Sequence, residues 1–279
     1  MRIAITGHKG QLGQQLVRAF GRHELLGIDV PEHDIAAWPA IAETIAAFSP
    51  ELVMHTAAYT NVDGCARDPD LAYRINGLGT QNVALACLHC DAILVHISTN
   101  EVFDGTASEP YLETDTTNAV NPYGRSKLMA ERYVRALLSR YYIVRIAWLF
   151  SPGGSNFPAK MVAAARERDE LSVVTDEVSS PTYAPDLAEA LVRLVDSERY
   201  GIYHLVNEGI CSRYDFARAI LAGAGLGRVP VKPVLLRDYP RPSSPPLYAP
   251  LRNLAASLGL GIRLRPWQEA LADYQGRLA

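Results

Sequence analysis

Short apolar runs alternate with amphipathic stretches through the first half of the chain. Residues 2–6 (RIAIT), 25–29 (LLGID), 52–57 (LVMHTA), 92–98 (AILVHIS) and 142–148 (YIVRIAW) are nearly continuous in apolar side chains. That is the pattern of strands buried on both faces. Between them, residues 12–20, 41–48, 71–88 and 123–138 repeat apolar positions at helical spacing. The alternation predicts an α/β fold, a parallel sheet with helices on both sides. After residue 150 the pattern changes. A loop at 151–156 (SPGGSN) precedes a helix at 157–168, a strand at 171–174, a helix at 186–196 and a strand at 201–206. Residues 230–250, rich in Pro, Ser and Tyr, read as a long ordered loop. The segment 261–274 ends in a helix starting near Pro266. Two regions are expected: 1–150, and a smaller C-terminal lobe, 151–279, partly interleaved with the first.

The turn after the first run adds chemistry. Gly7, Gly10 and Gly13 leave a strand and open a helix, the context in which glycines bring the backbone close to a pyrophosphate. The helix start then offers free N–H groups and a positive dipole end. The spacing is G-x-x-G-x-x-G. Asp29 ends the second run, where an acid meets an adenosine ribose. A carboxylate there favours NADH over NADPH, while Lys9 and His8 oppose that preference, so both cofactors stay open. The first region therefore reads as a Rossmann-type, doubly wound dinucleotide domain, and 151–279 as the substrate-binding lobe. Ala57, Ala58 and Tyr59 follow the third run, where small residues let the chain pass close to a flat ligand; Ile97 lies near the end of the fourth.

Tyr123 and Lys127 stand four residues apart, on one face of a helix. An ammonium close to a phenol favours the phenolate and lowers its pKa. Such a phenol serves as general acid for a carbonyl under reduction. Thr99 ends the fourth run, at the edge where open α/β sheets place ligands, and its hydroxyl is placed to hold the same carbonyl. Asn100 and Glu101 are expected to face that crevice too. Together with the glycine loop, this constellation points to a short-chain dehydrogenase/reductase.

Composition narrows the field. A net charge of −3 over 279 residues leaves no basic footprint for nucleic acid. No apolar run approaches the ~18 residues of a membrane span. The first residues lead straight into the glycine loop and do not resemble a signal peptide, so a cytoplasmic protein is expected. Cys65, Cys87, Cys90 and Cys211 suggest no disulfide framework. Cys87-Leu88-His89-Cys90 lacks a second ligand pair, so buried or half-buried free thiols are expected and no metal.

At these residues the chain resembles the dTDP-4-dehydrorhamnose reductase family of extended short-chain dehydrogenases. TGHKGQLGQQL is similar to the family's nucleotide loop, with Gly10, Gln11 and Leu12 at the cofactor. Asp34-Ile35 resembles the pair near the adenosine, and AAYTNVD the alanine-rich cofactor loop. STNEVFDG resembles the family's STDYVFDG, and NPYGRSK its catalytic helix. RIAWLFSPGGSNF, SSPTYAPDLAEAL and Arg241-Pro242-Ser243 are further landmarks. The resemblance implies hydride transfer from NADH or NADPH to C4 of a nucleotide-linked 4-keto-6-deoxy sugar. Tyr123 would protonate the oxygen, Lys127 would lower its pKa and hold the nicotinamide ribose, and Thr99 would orient the carbonyl. Trp148 would contact the sugar and Arg241 the diphosphate. Asn100-Glu101 departs from the family's Asp-Tyr and puts the sugar's stereochemistry in question. Gln14 and Gln15 stand where some members carry an acid for a metal-bridged dimer; a homodimer stays open on other grounds. Two rival readings remain: a sugar-nucleotide epimerase or dehydratase, and a silent NAD(P)-binding regulatory subunit.

Overall fold

The apolar runs of the first half lie side by side. The computed structural model describes residues 1–277. Strands Arg2–Thr6, Glu24–Ile28, Leu52–His55, Ile93–Thr99 and Tyr141–Ile146 form one sheet with Gly201–His204. From one edge to the other the order is Gly201–His204, Tyr141–Ile146, Ile93–Thr99, Leu52–His55, Arg2–Thr6, Glu24–Ile28, and every pairing is parallel. The chain winds outward from Arg2–Thr6 to Glu24–Ile28, then returns to Leu52–His55 and winds the other way. That reversal makes a doubly wound Rossmann-type sheet, with its crevice at the carboxyl ends of Arg2–Thr6 and Leu52–His55.

The period of two along each strand divides the core. Ile3, Ile5, Met54, Val95 and Val144 face one side, against Leu16, Leu187 and Leu191. Ala4, Val53, Leu94 and Ile143 face the other, against Ile41, Ile45, Val83 and Val134. Residues beyond 150 return to this sheet: helix Ala184–Asp196 packs on helix Gln11–Ala19, and Gly201–His204 adds the edge strand. The rest of the C-terminal part surrounds an aromatic cluster of Phe150, Tyr183, Phe216, Trp267 and Tyr274.

Four features differ from the sequence reading. Residues 230–250 are not loop throughout, because Val231–Val234 pairs in parallel with Leu171–Val174. Pro233 disguised that strand, since a proline donates nothing to a ladder and is tolerated in a two-stranded pair with free edges. The helix expected at 71–88 is three pieces: Pro69–Ala72, a π-helical segment Tyr73–Leu78, and Gly79–His89. The strand expected at 142–148 ends at Ile146, and Trp148 adopts a left-handed φ of 44° before a short strand Leu149–Phe150. Helices Val62–Arg67, Arg213–Gly223 and Leu254–Leu260 were not foreseen. The second carried a readable start signal: Ser212 accepts from the Asp215 amide at 3.0 Å and donates to the Asp215 carboxylate at 2.6 Å.

One buried ion pair clamps helix Pro122–Leu137 to the sheet. Arg145 meets Glu131 through two bonds of 2.9 and 2.8 Å, with side chains 4% and 2% exposed, and Ser98 donates to Glu131 at 2.6 Å. Removing one partner of such a pair strands a charge in low dielectric. Arg145→Ala is therefore expected to lower unfolding free energy by about 3–5 kcal/mol in urea denaturation. A loss below about 1 kcal/mol, the range of a surface pair, would contradict the clamp.

Candidate active site

The glycine loop is shaped for an anionic ligand. Gly7 has a φ of 72°, a left-handed turn that favours glycine. A Cβ on Gly13 would overlap the carbonyl of Gly7, and one on Gly7 would press into the backbone of Ala57. Helix Gln11–Ala19 begins here with Gly10 as its cap, no side chain bonded to its first amides and no acid in its first turn. The amides of Gln11, Leu12 and Gly13 thus stay available to phosphate oxygens. These residues fit the diphosphate of a nicotinamide dinucleotide. Asp29 ends the neighbouring strand and is held by two amides, Lys9 N–H at 2.9 Å and Val30 N–H at 2.9 Å. The Lys9 ammonium bonds Glu32 at 2.8 Å. Asp34 accepts from Ala36 N–H at 2.8 Å, and buried Ile35 packs against Gly79.

Tyr59 extends this wall and introduces a residue missed in the sequence. Asn76, wholly buried in the π-helical segment, accepts from Tyr59 N–H at 2.7 Å and donates to Tyr59 C=O at 3.1 Å and to Ser126 Oγ at 2.9 Å. Ala58 precedes Tyr59, so Asn76 joins the cofactor-side loop to the residue before Lys127. The only sequence signal was an amide in an otherwise helical run, and such local widening recurs at functional sites.

Thr99 and Tyr123 come together, and Lys127 lies one helical turn on with its ammonium on the sheet. Thr99 ends its strand, 5% exposed, and its hydroxyl accepts from Glu101 N–H at 3.2 Å. Asn121 caps the helix that carries Tyr123 and Lys127, accepting from Gly124 N–H at 2.8 Å. A Cβ on Gly124 would overlap the Glu101 carbonyl, so that helix lies directly on the turn after Thr99. Lys127 is buried, and its ammonium donates to the Ile97 carbonyl at 2.7 Å.

The acid–base balance departs from expectation. Burial, then the Glu101 carboxylate, push the Tyr123 phenol above its ordinary range, and the Thr99 hydroxyl opposes them. Lys127 does not lower it here, because its ammonium is turned to Ile97. Burial draws Lys127 itself down to about 7, with Glu131 pulling weakly the other way. Glu131 already faces Arg145, which accounts for its small effect. Burial raises Glu101 to about 7, opposed by a 2.6 Å hydrogen bond from Asn121.

Asn100 is engaged on both ends of its amide, one end on Thr99 and the other on the C-terminal part. It is 5% exposed, and its amide donates to Ser179 Oγ at 3.1 Å and to the Ala249 carbonyl at 3.0 Å. Its Oδ1 accepts from Thr99 at 3.3 Å. Asn100 thus positions Thr99 and ties it to the C-terminal part. Glu101 remains in the crevice, half-buried. Trp148 is half-buried, with the Arg213 guanidinium 3.7 Å from its ring centroid. Arg213 pairs with Glu177 at 2.9 Å. Arg241 bonds Asp63 at 3.0 Å and approaches Glu177 at 3.9 Å. Glu177, Arg213 and Arg241 in this chain of charges act on Glu101. Asp63, Glu177 and Arg213 were not foreseen, since each is an ordinary charge until the fold brings it to the others.

Fold and site define a short-chain dehydrogenase of the extended kind. The comparisons narrow this class. The chain belongs to the family described as RmlD substrate binding domain, whose model matches residues 1–279. It is 38% identical over 275 residues to the spore coat polysaccharide biosynthesis protein SpsK of Bacillus subtilis, covering 98% of this chain and 96% of that one. The solved dTDP-4-dehydrorhamnose reductase of Clostridium acetobutylicum superposes with a TM-score of 0.97 at 40% identity, covering 100% of this chain and 99% of that one. The Bacillus anthracis enzyme of that name, in complex with NADP, gives 0.95 at 35% identity, covering 99% of both.

Two predictions rest on this geometry. Gly13→Ala should weaken NADPH binding at least about tenfold, the size of one lost charge-assisted hydrogen bond, by fluorescence titration; unchanged affinity would contradict the cradle. Glu101, raised to about 7, ionises near neutral pH. Ionised Glu101 makes the Tyr123 phenol a poorer donor. The rate of carbonyl reduction should therefore fall as pH rises through about 7. In Glu101→Gln that fall should be lost. An equal fall in the variant would refute the role of Glu101.

Proposed function

We propose that this protein reduces the C4 keto group of a nucleotide-linked 4-keto-6-deoxy sugar, with NADH or NADPH, in deoxysugar biosynthesis. The observation that carries this reading is the convergence of the Thr99 and Tyr123 hydroxyls at the crevice, in front of Lys127, in a chain of the RmlD family. The nicotinamide dinucleotide, when bound, supplies the hydride. Thr99 holds the keto oxygen by turning its one proton from Asn100 Oδ1 to it, while the Glu101 amide keeps the Thr99 oxygen in place. Tyr123 gives its proton to that oxygen as charge develops there. A phenol pushed above its ordinary range keeps its proton at neutral pH, so it stands ready as the donor. Lys127, one helical turn from Tyr123, would bind the nicotinamide ribose by turning its ammonium from the Ile97 carbonyl.

Residues 1–150 hold the dinucleotide in this reading, and 151–279 supply the sugar-nucleotide side. Trp148 meets the sugar, and Arg241 the diphosphate. Arg213 is a second cation in that wall. We place the protein in the cytoplasm. Its four cysteines are free, as in a reducing compartment, and no helix among the described residues is long and apolar enough to cross a membrane.

The test is nicotinamide oxidation with dTDP-4-keto-6-deoxy-L-mannose, offering NADH and NADPH separately. Oxidation should require the sugar, and Tyr123→Phe should lower turnover at least about 100-fold with cofactor affinity little changed. Wild-type turnover in that variant would sink the assignment. Tight cofactor binding with no sugar-dependent oxidation would mark another sugar or a silent regulatory subunit instead, which other keto sugars then tell apart.

A further inference from the structure

Glu101 tunes the phenol by its charge, but reduction assigns it no proton to transfer. Glu101 follows Thr99 on the wall that receives the carbonyl. Its Oε2 accepts from Asn121 Nδ2 at 2.6 Å, and Asn121 also reaches the Ser244 carbonyl at 3.3 Å. The side chain is thus braced between the catalytic helix and the C-terminal part. Its Oε1 takes no hydrogen bond from any described residue and is not sealed from solvent. One oxygen is therefore fixed by the protein, while the other is left to the crevice. The charged and titratable groups that act on it are Glu177, Arg213 and Arg241 across the crevice, together with Tyr123 and Cys65.

A keto oxygen held by Thr99 and Tyr123 brings the two carbons that flank C4, each two bonds from that oxygen, to the wall where Glu101 follows Thr99. Hydrogens on those carbons are acidic because the carbonyl stabilises the resulting charge. The two hydroxyls that assist reduction also stabilise an enolate oxygen. We propose that Glu101 is a base for a C–H bond flanking the keto group, so that this site enolises its keto-sugar substrate as well as reducing it.

In this step the carboxylate takes the proton and the C–H bond breaks. Its electron pair becomes a C=C bond to C4, and the carbonyl π pair moves onto O4, which Tyr123 and Thr99 hold. Return of a proton from Glu101 restores the ketone, with no net oxidation. One base on one face gives exchange with solvent and keeps the configuration. The step needs the ionised carboxylate. Exchange should therefore rise with pH through about 7, where reduction falls.

This inference rests on the keto-sugar reading, and the test separates the two. The protein, loaded with NADP⁺ so that reduction cannot occur, is incubated with dTDP-4-keto-6-deoxy-L-mannose in deuterium oxide. Proton NMR follows the signals beside C4, and saturation-transfer difference spectra on the same sample report binding. Protein-dependent deuterium uptake at a flanking carbon is expected. Uptake should fall at least about 100-fold in Glu101→Gln and less in Glu101→Asp, which keeps the base on a shorter arm. Binding without uptake above the protein-free rate overturns the proposal alone, as does undiminished uptake in Glu101→Gln. Absence of binding overturns the keto-sugar reading and the proposal with it.

Discussion

Lys127 donates its buried ammonium to the Ile97 carbonyl, at the end of the central strand, and much of the site depends on that contact. A lysine this deep is costly unless something takes its protons. The carbonyl does so, and Glu131 adds a negative field from one helical turn further on. Glu131 is in turn held by Arg145 and Ser98. One helix is thereby fixed to the sheet in depth and in rotation. Tyr123, one turn before Lys127, comes to the mouth of the crevice beside Thr99. Gly124 allows the approach, since any larger residue would strike the turn after Thr99.

The same burial that fixes the geometry sets the chemistry. Low dielectric disfavours charge of either sign. It lowers Lys127, raises Glu101 and raises Tyr123. The neutral forms are thus favoured at the reacting centre, and a proton donor rather than a phenolate faces the carbonyl. The outer wall works differently. There Arg213 pairs with Glu177, and Arg241 with Asp63 and Glu177, and Arg213 covers the face of Trp148. A diphosphate entering that wall would compete with carboxylates for the arginines.

The sheet, and the places of Thr99, Tyr123 and Lys127 around one crevice, were legible because they rest on local pattern. Apolar runs, glycine spacing and a Tyr-x-x-x-Lys pair each encode geometry within a few residues. Asn100 could not be placed so easily. Its neighbours in sequence belong to the site, yet its partners are Ser179 and Ala249, brought to it only by the folded C-terminal part. The phenol's acidity was misjudged for a similar reason. Helical spacing puts Lys127 on the face of Tyr123, but only the fold shows its ammonium turned to Ile97. Asn76 was hidden because π-helical widening has no clear sequence signature. Val231–Val234 was hidden because proline masks an edge strand.

The central claim is that this crevice directs hydride to C4 of a keto sugar while Tyr123 protonates its oxygen. The most direct measurement follows label from NADPH deuterated at the transferable position into the product, in ordinary water, by NMR of the purified sugar nucleotide. The account predicts one deuterium at C4, in a single configuration. A product without deuterium at C4, or with label in both configurations, would contradict it.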